Sequence, residues 1–95
     1  MTPEGKVKAK IKDILKARGA YFTMPIGTGF GSAGVPDFVI CYKGRFIGVE
    51  AKTVGNKPTA LQEKHMADIR SRGGHTLVIN ESNTDDLTKL LESIQ

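Results

Sequence analysis

The stretch Gly34-Val35-Pro36-Asp37-Phe38-Val39-Ile40-Cys41-Tyr42-Lys43-Gly44-Arg45-Phe46-Ile47-Gly48-Val49-Glu50-Ala51-Lys52 reads as two β-strands joined by a tight turn at Lys43-Gly44. With the turn centred between those two residues, Tyr42 faces Arg45, and counting outward sets Asp37 opposite Glu50. Directly opposed residues of an antiparallel pair hold their side chains roughly 5 Å apart. Two carboxylates that close repel unless a proton or a cation lies between them. Lys52 is two residues beyond Glu50, so the strand period turns both side chains to one face. Two acids and a lysine converging there predict a divalent-metal hydrolytic site. The competing reading is a surface cross-strand cluster in which Lys52 simply pairs with Glu50. Against it, these strands are otherwise Phe, Val, Ile and Gly, where a charge is expensive to place.

Working outward, Thr2-Pro3-Glu4 carries a capping hydroxyl, a proline suited to the first helical position and an acid for the first turn. Val7, Ile11, Ile14 and Leu15 follow at helical spacing, and Gly19 ends the helix. A short strand is predicted over Ala20 to Met24. The glycine-rich loop Gly27-Thr28-Gly29-Phe30-Gly31-Ser32-Ala33-Gly34 then leads into the hairpin. After the loop Gly55-Asn56-Lys57-Pro58, Thr59 and Gln62 form a capping-box pair opening a second helix that runs to Gly73-Gly74. His75 to Asn80 reads as a strand. A last helix carries Leu87, Leu90, Leu91 and Ile94 on one face. The order is α-β-β-β-α-β-α, and the segment from Arg45 to Asn80 predicts a right-handed parallel crossover, hence a mixed sheet flanked by helices.

A chain of 95 residues has room for one core, so residues 1–95 are expected to form a single domain. No long apolar run and no signal-peptide pattern is present, which predicts a soluble protein that is not exported. Cys41, the single cysteine, cannot form an internal disulfide and reads as a small buried apolar side chain. The net charge is +4, from 14 basic and 10 acidic residues. Lys6, Lys8, Lys10, Lys12, Lys16 and Arg18 crowd the first helix, while Glu81, Asp85, Asp86 and Glu92 make the last fifteen residues acidic. A basic face at one end and an acidic one at the other suits a protein that presents one side to nucleic acid, and equally a solvated helix face.

Two further polar residues fall on apolar arcs. At 100° per residue, Glu4 projects into the arc of Val7, Ile11, Ile14 and Leu15, so it is expected to face the core side and not the solvent with the lysines. An acid in the first turn is favoured by the helix dipole in any direction, which is the competing explanation. Gln62 shares an arc with Leu61, His65, Met66 and Ile69, so it is either aimed at the sheet or held as the capping partner of Thr59. The glycine-rich loop lacks the Gly-Lys-Ser/Thr ending of a phosphate-binding P-loop and leads into a strand. It nonetheless borders Asp37, and Ser32 is placed to contact a phosphate there. His65 reads as a core-edge residue and His75 as a strand-end residue. Cys/His zinc spacing and a nucleophile triad are both missing from the sequence.

Pro36-Asp37 followed by Glu50-Ala51-Lys52, with a helix before and a Gln-bearing helix after, resembles the PD-(D/E)xK nuclease superfamily. Within it, the chain is similar to a stand-alone VRR-NUC domain, the virus-type replication-repair nuclease of the kind found in phages. The Gly34-Val35-Pro36-Asp37 lead-in and the helix opening Thr59-Ala60-Leu61-Gln62 carry the narrower likeness, which runs from Glu4 to the strand around Val78. The helix acid and the glycine-rich loop before Asp37 are also similar to archaeal Holliday junction resolvases. The resemblance implies a restriction-endonuclease-like αβββαβα core and a metal-dependent DNA endonuclease, selective for branched, flap or four-way-junction DNA. It implies Mg²⁺, with Mn²⁺ able to substitute, held by Asp37 and Glu50 with the Ala51 carbonyl as a third ligand. Lys52 would orient the attacking water or stabilise developing charge, Glu4 would support the metal or a second one, and Gln62 would orient the ligands. Lys6, Lys8, Ser32 and Lys57 would contact DNA. A homodimer in the cytoplasm of a phage-infected or bacterial cell completes the expectation. The alternative from another class is a DNA-binding module that uses the basic face without cutting.

Overall fold

The computed structural model describes residues 1–26 and 33–95. The central part of the glycine-rich loop, Ser32 included, lies outside the described residues. The elements are α1 (Pro3–Ala17), β1 (Tyr21–Thr23), β2 (Phe38–Tyr42), β3 (Arg45–Ala51), α2 (Ala60–Ser71), β4 (His75–Ile79) and α3 (Asp85–Ser93), in the order read from the sequence. They build a four-stranded sheet of order β1-β2-β3-β4. The first three strands are antiparallel, and β4 runs parallel to β3 after the α2 crossover.

The hairpin register follows from its turn. Lys43 and Gly44 both take positive φ, 50° and 78°, the combination of a type I′ turn, whose twist matches the flanking strands. Tyr42 therefore pairs with Arg45 and Phe38 with Val49, as the counting required. Asp37 is one residue beyond Phe38, at the position facing Glu50, just outside β2.

β3 is buried on both sides from Ile47 to Ala51, because helices cover both faces of the sheet there. Ile47, Val49 and Ala51 join Phe38, Ile40 and Ile79 in the main core, closed by Val7, Ile11 and Leu15 of α1 and Leu87, Leu91 and Ile94 near the C-terminus. On the opposite face α2 lies over β3 and β4. A side chain at Gly48 would meet Ile69 at 2.9 Å, so the glycine lets the helix down onto the strand. α2 buries little of itself: Met66 is its one fully buried residue, and Leu61, expected on the inward arc, is 52% exposed.

Three sequence expectations change here. β1 is shorter than predicted, with Ala20 and Met24 left outside it. Cys41 is exposed and not buried. Its register partners Tyr21 and Phe46 share its face and are exposed too, because α2 covers the β3–β4 half of that face and not this corner. The basic first helix and the acidic last one are not at opposite ends. α1 and α3 touch, and Arg18 pairs with Glu92 at 3.1 Å.

Candidate metal and phosphodiester site

At the end of the sheet away from the Lys43-Gly44 turn, β2 begins and β3 ends. Asp37 is fixed there by β3 itself. Its Oδ2 accepts a hydrogen bond from the Ala51 N–H at 2.9 Å, which leaves Oδ1 free of main-chain contact among the described residues. Glu50 stands on the same face and is only 1% exposed, the one charged side chain buried with the core among the described residues. Its Oε1 accepts from the Gln62 amide at 3.2 Å. Its Oε2 is buried with no hydrogen-bond partner among the described residues.

Gln62 resolves the two readings of its position by satisfying both. Its Oε1 accepts from the Thr59 N–H at 2.8 Å, and its N–H donates to the Thr59 hydroxyl oxygen at 3.2 Å, which completes the capping box. The other end of the same carboxamide, Nε2, is thereby turned toward Glu50. The helix cap orients the site.

Burial is the largest cause that pushes the Glu50 carboxyl up from 4.5 to about 8. The neighbouring Asp37 carboxylate adds to it, Lys52 opposes it, and Glu4 adds a smaller push. Near neutral pH the metal-free pair therefore carries one proton more than two free carboxylates would. Lys52 follows β3 directly and is half-buried. Its N–H donates to the Ile79 carbonyl at 2.9 Å, extending the parallel pairing past the strand end. The Val54 N–H bonds to Glu81, which ties down the chain that follows Lys52.

Glu4 reaches this site through another residue. It forms an ion pair with Lys8 at 3.6 Å, and the Lys8 ammonium lies 3.9 Å from Asp37 Oδ1. The expectation that Glu4 parts from the lysines is therefore corrected: Lys8, one turn on, turns inward with it. Projection places Lys8 only 40° from Glu4, and that offset was the available sign. Lys6 is exposed and lines a hollow of about 510 Å³ with Lys10, Glu81 and Thr84. Lys57 is exposed in the β3–α2 loop. His65 is half-buried beside Phe46 and Ile69 in a separate hollow, and His75 is the first residue of β4. Neither histidine joins the acids.

These residues fit a hard divalent cation. A buried, orphaned carboxylate oxygen beside a second carboxylate is what a cation would satisfy. No group of three or more His, Cys, Asp or Glu side chains able to hold a metal occurs among the described residues. Two adjacent carboxylates make an all-oxygen donor set of the kind a hard divalent cation takes. No helix of the described residues is long and apolar enough to cross a membrane.

No family model matches the chain, and no curated protein matches it. A solved structure titled "VRR_NUC domain" is similar, with a TM-score of 0.78 and 26% identity over 94% of this chain and 97% of that one.

Proposed function

We propose that this chain, a VRR-NUC domain with a restriction-endonuclease-like core, is a metal-dependent endonuclease that hydrolyses DNA phosphodiester bonds and prefers branched structures. The observation that carries the proposal is the Asp37–Glu50 pair, with a buried Glu50 oxygen that has no hydrogen-bond partner among the described residues and two lysines, Lys52 and Lys8, beside it. Asp37, Glu50 and the Ala51 carbonyl would hold Mg²⁺ or Mn²⁺. When bound, such an ion lowers the pKa of a coordinated water and offsets charge on the phosphate. Lys52 stabilises the negative charge that develops on the phosphoryl oxygens, or orients the water. Gln62 holds the Glu50 carboxylate in its rotamer while the cap holds Gln62. Glu4 supports the group from α1 through Lys8. Lys6 and Lys57 are assigned to the DNA backbone.

A homodimer would supply two sites for cutting both strands of a branched substrate.

The test is cleavage of labelled duplex, flap and four-way-junction DNA with Mg²⁺, Mn²⁺ or EDTA, beside a Lys52→Ala variant. Cleavage that needs the metal and disappears in the variant is expected. DNA that is shifted and uncut under every condition would establish the binding-module reading in its place.

A further inference from the structure

Lys8 stands apart from its neighbours on α1. Lys6 and Lys10 are exposed, whereas the Lys8 side chain is 32% exposed and lies between two carboxylates of different elements. The oxygen it faces is decisive. Asp37 Oδ2 is occupied by the Ala51 N–H, so Lys8 stands 3.9 Å from Oδ1, the oxygen left for a cation. Both ion-pair distances, 3.6 and 3.9 Å, exceed those of a charge-assisted hydrogen bond. The ammonium is held by charge and not locked by geometry, on a flexible four-carbon stem.

We propose that Lys8 is a movable counter-ion of Asp37, competing with the divalent cation for Oδ1 in the DNA-free protein and passing to a DNA phosphate when cation and substrate are bound together. The proposal rests on the nuclease reading and assigns Lys8 a positioning role within it. One carboxylate oxygen cannot serve an ammonium and a dication at full strength, because the two cations repel. An arriving phosphate offers Lys8 a replacement anion. Glu4 holds the other side of the ammonium throughout, so the exchange is a short swing and not a release into solvent. This gives Glu4 a function that does not require it to reach the cation. It also couples the two ligands: DNA removes the competitor of the metal, so each tightens the other.

Titration calorimetry of Mn²⁺ into wild type, Lys8→Met and Lys8→Arg, each with and without a short duplex, tests this. Without DNA, Lys8→Met binds Mn²⁺ about fivefold tighter than wild type, the scale of a half-exposed ion pair. Lys8→Arg stays near wild type. The tightening of Mn²⁺ by DNA shrinks in Lys8→Met. A Lys8→Met protein with native circular dichroism that binds Mn²⁺ no tighter overturns the counter-ion role, as does equal tightening in Lys8→Arg. Should Lys8→Met fold poorly, Lys8→Gln carries the same expectation. Wild type that binds no Mn²⁺ with or without DNA would instead remove the nuclease reading itself, which separates the two failures.

Discussion

Glu50 shows what one buried acid does to the whole chain. Between about pH 4.5 and about pH 8 the folded, metal-free protein keeps the Glu50 proton and the unfolded chain gives it up. Unfolding then releases a proton, so stability is highest below the unfolded value and falls as pH rises through that window. Glu50→Gln removes the titrating group and keeps the shape. Urea unfolding in EDTA from pH 4.5 to pH 8.5 is expected to show a declining midpoint for wild type, and a flatter and higher one for Glu50→Gln at the alkaline end. Parallel profiles would mean that the carboxyl is not held neutral. On the proposed reading, Mg²⁺ held by the pair would displace a proton near neutral pH by the same linkage. Calorimetry in buffers of different ionisation enthalpy would then show a buffer-dependent heat in wild type and none in Glu50→Gln.

At the scale of elements, the first turn of α2 is both a helix cap and a wall of the site, and substitutions can separate the two. Thr59→Ala removes the hydroxyl cap and should cost about 1 kcal/mol, with cleavage largely retained. Gln62→Ala is expected to cost a similar amount and also to release Glu50, so cleavage falls at least tenfold while Thr59→Ala stays within a few-fold of wild type. Equal activity in the two variants would reduce Gln62 to a cap. Gly34 joins this turn to Asp37: its φ is +83°, and a Cβ there would lie 2.6–2.9 Å from the backbone of Leu61 and Gln62. Gly44 has a similar φ of +78° and open space around it. Gly44→Ala should therefore cost about 1 kcal/mol for the left-handed backbone alone, and Gly34→Ala at least about 2 kcal/mol more because backbone must move. Chemical denaturation of the pair checks the difference. The hairpin was legible because two residues with positive φ fix the register, and the register alone aligns Asp37 with Glu50. Gln62 was legible because a polar residue on an apolar arc needs a partner. Lys8 was read as a DNA contact and not as a partner of Asp37, because a run of lysines reads as solvated surface, although helical projection put it beside Glu4. Cys41 was misread because strand propensity says nothing of which half of a face a helix will cover.

For the molecule as a whole, the question is which of its charges meet DNA. The Lys43 and Arg45 side chains belong to the same net charge of +4 as the α1 lysines, but they flank the turn at the far end of the hairpin from Asp37. About five residues of strand separate the two ends, roughly 17 Å at the usual rise. The whole chain measures 35 × 32 × 22 Å, and on the proposed reading a duplex over the Asp37–Glu50 end would run beside α1, with the turn at the far end of the hairpin. The contact of α1 with α3 narrows the basic surface further, since Arg18 is already engaged with Glu92 and acidic residues of the last segment lie beside the α1 face. On the proposed reading, Lys6 and Lys10, exposed on α1, contact phosphates alongside Lys8. Each phosphate neutralised contributes about 0.9 to the slope of log K against log salt. In an Asp37→Asn background, expected to bind without cutting, Lys6→Ala and Lys10→Ala should each lower that slope by about 0.9 and weaken binding alike for all sequences. Lys43→Ala and Arg45→Ala should leave the slope unchanged. A slope that falls instead with the turn residues would place the duplex along the hairpin, and would move the DNA track off α1 altogether.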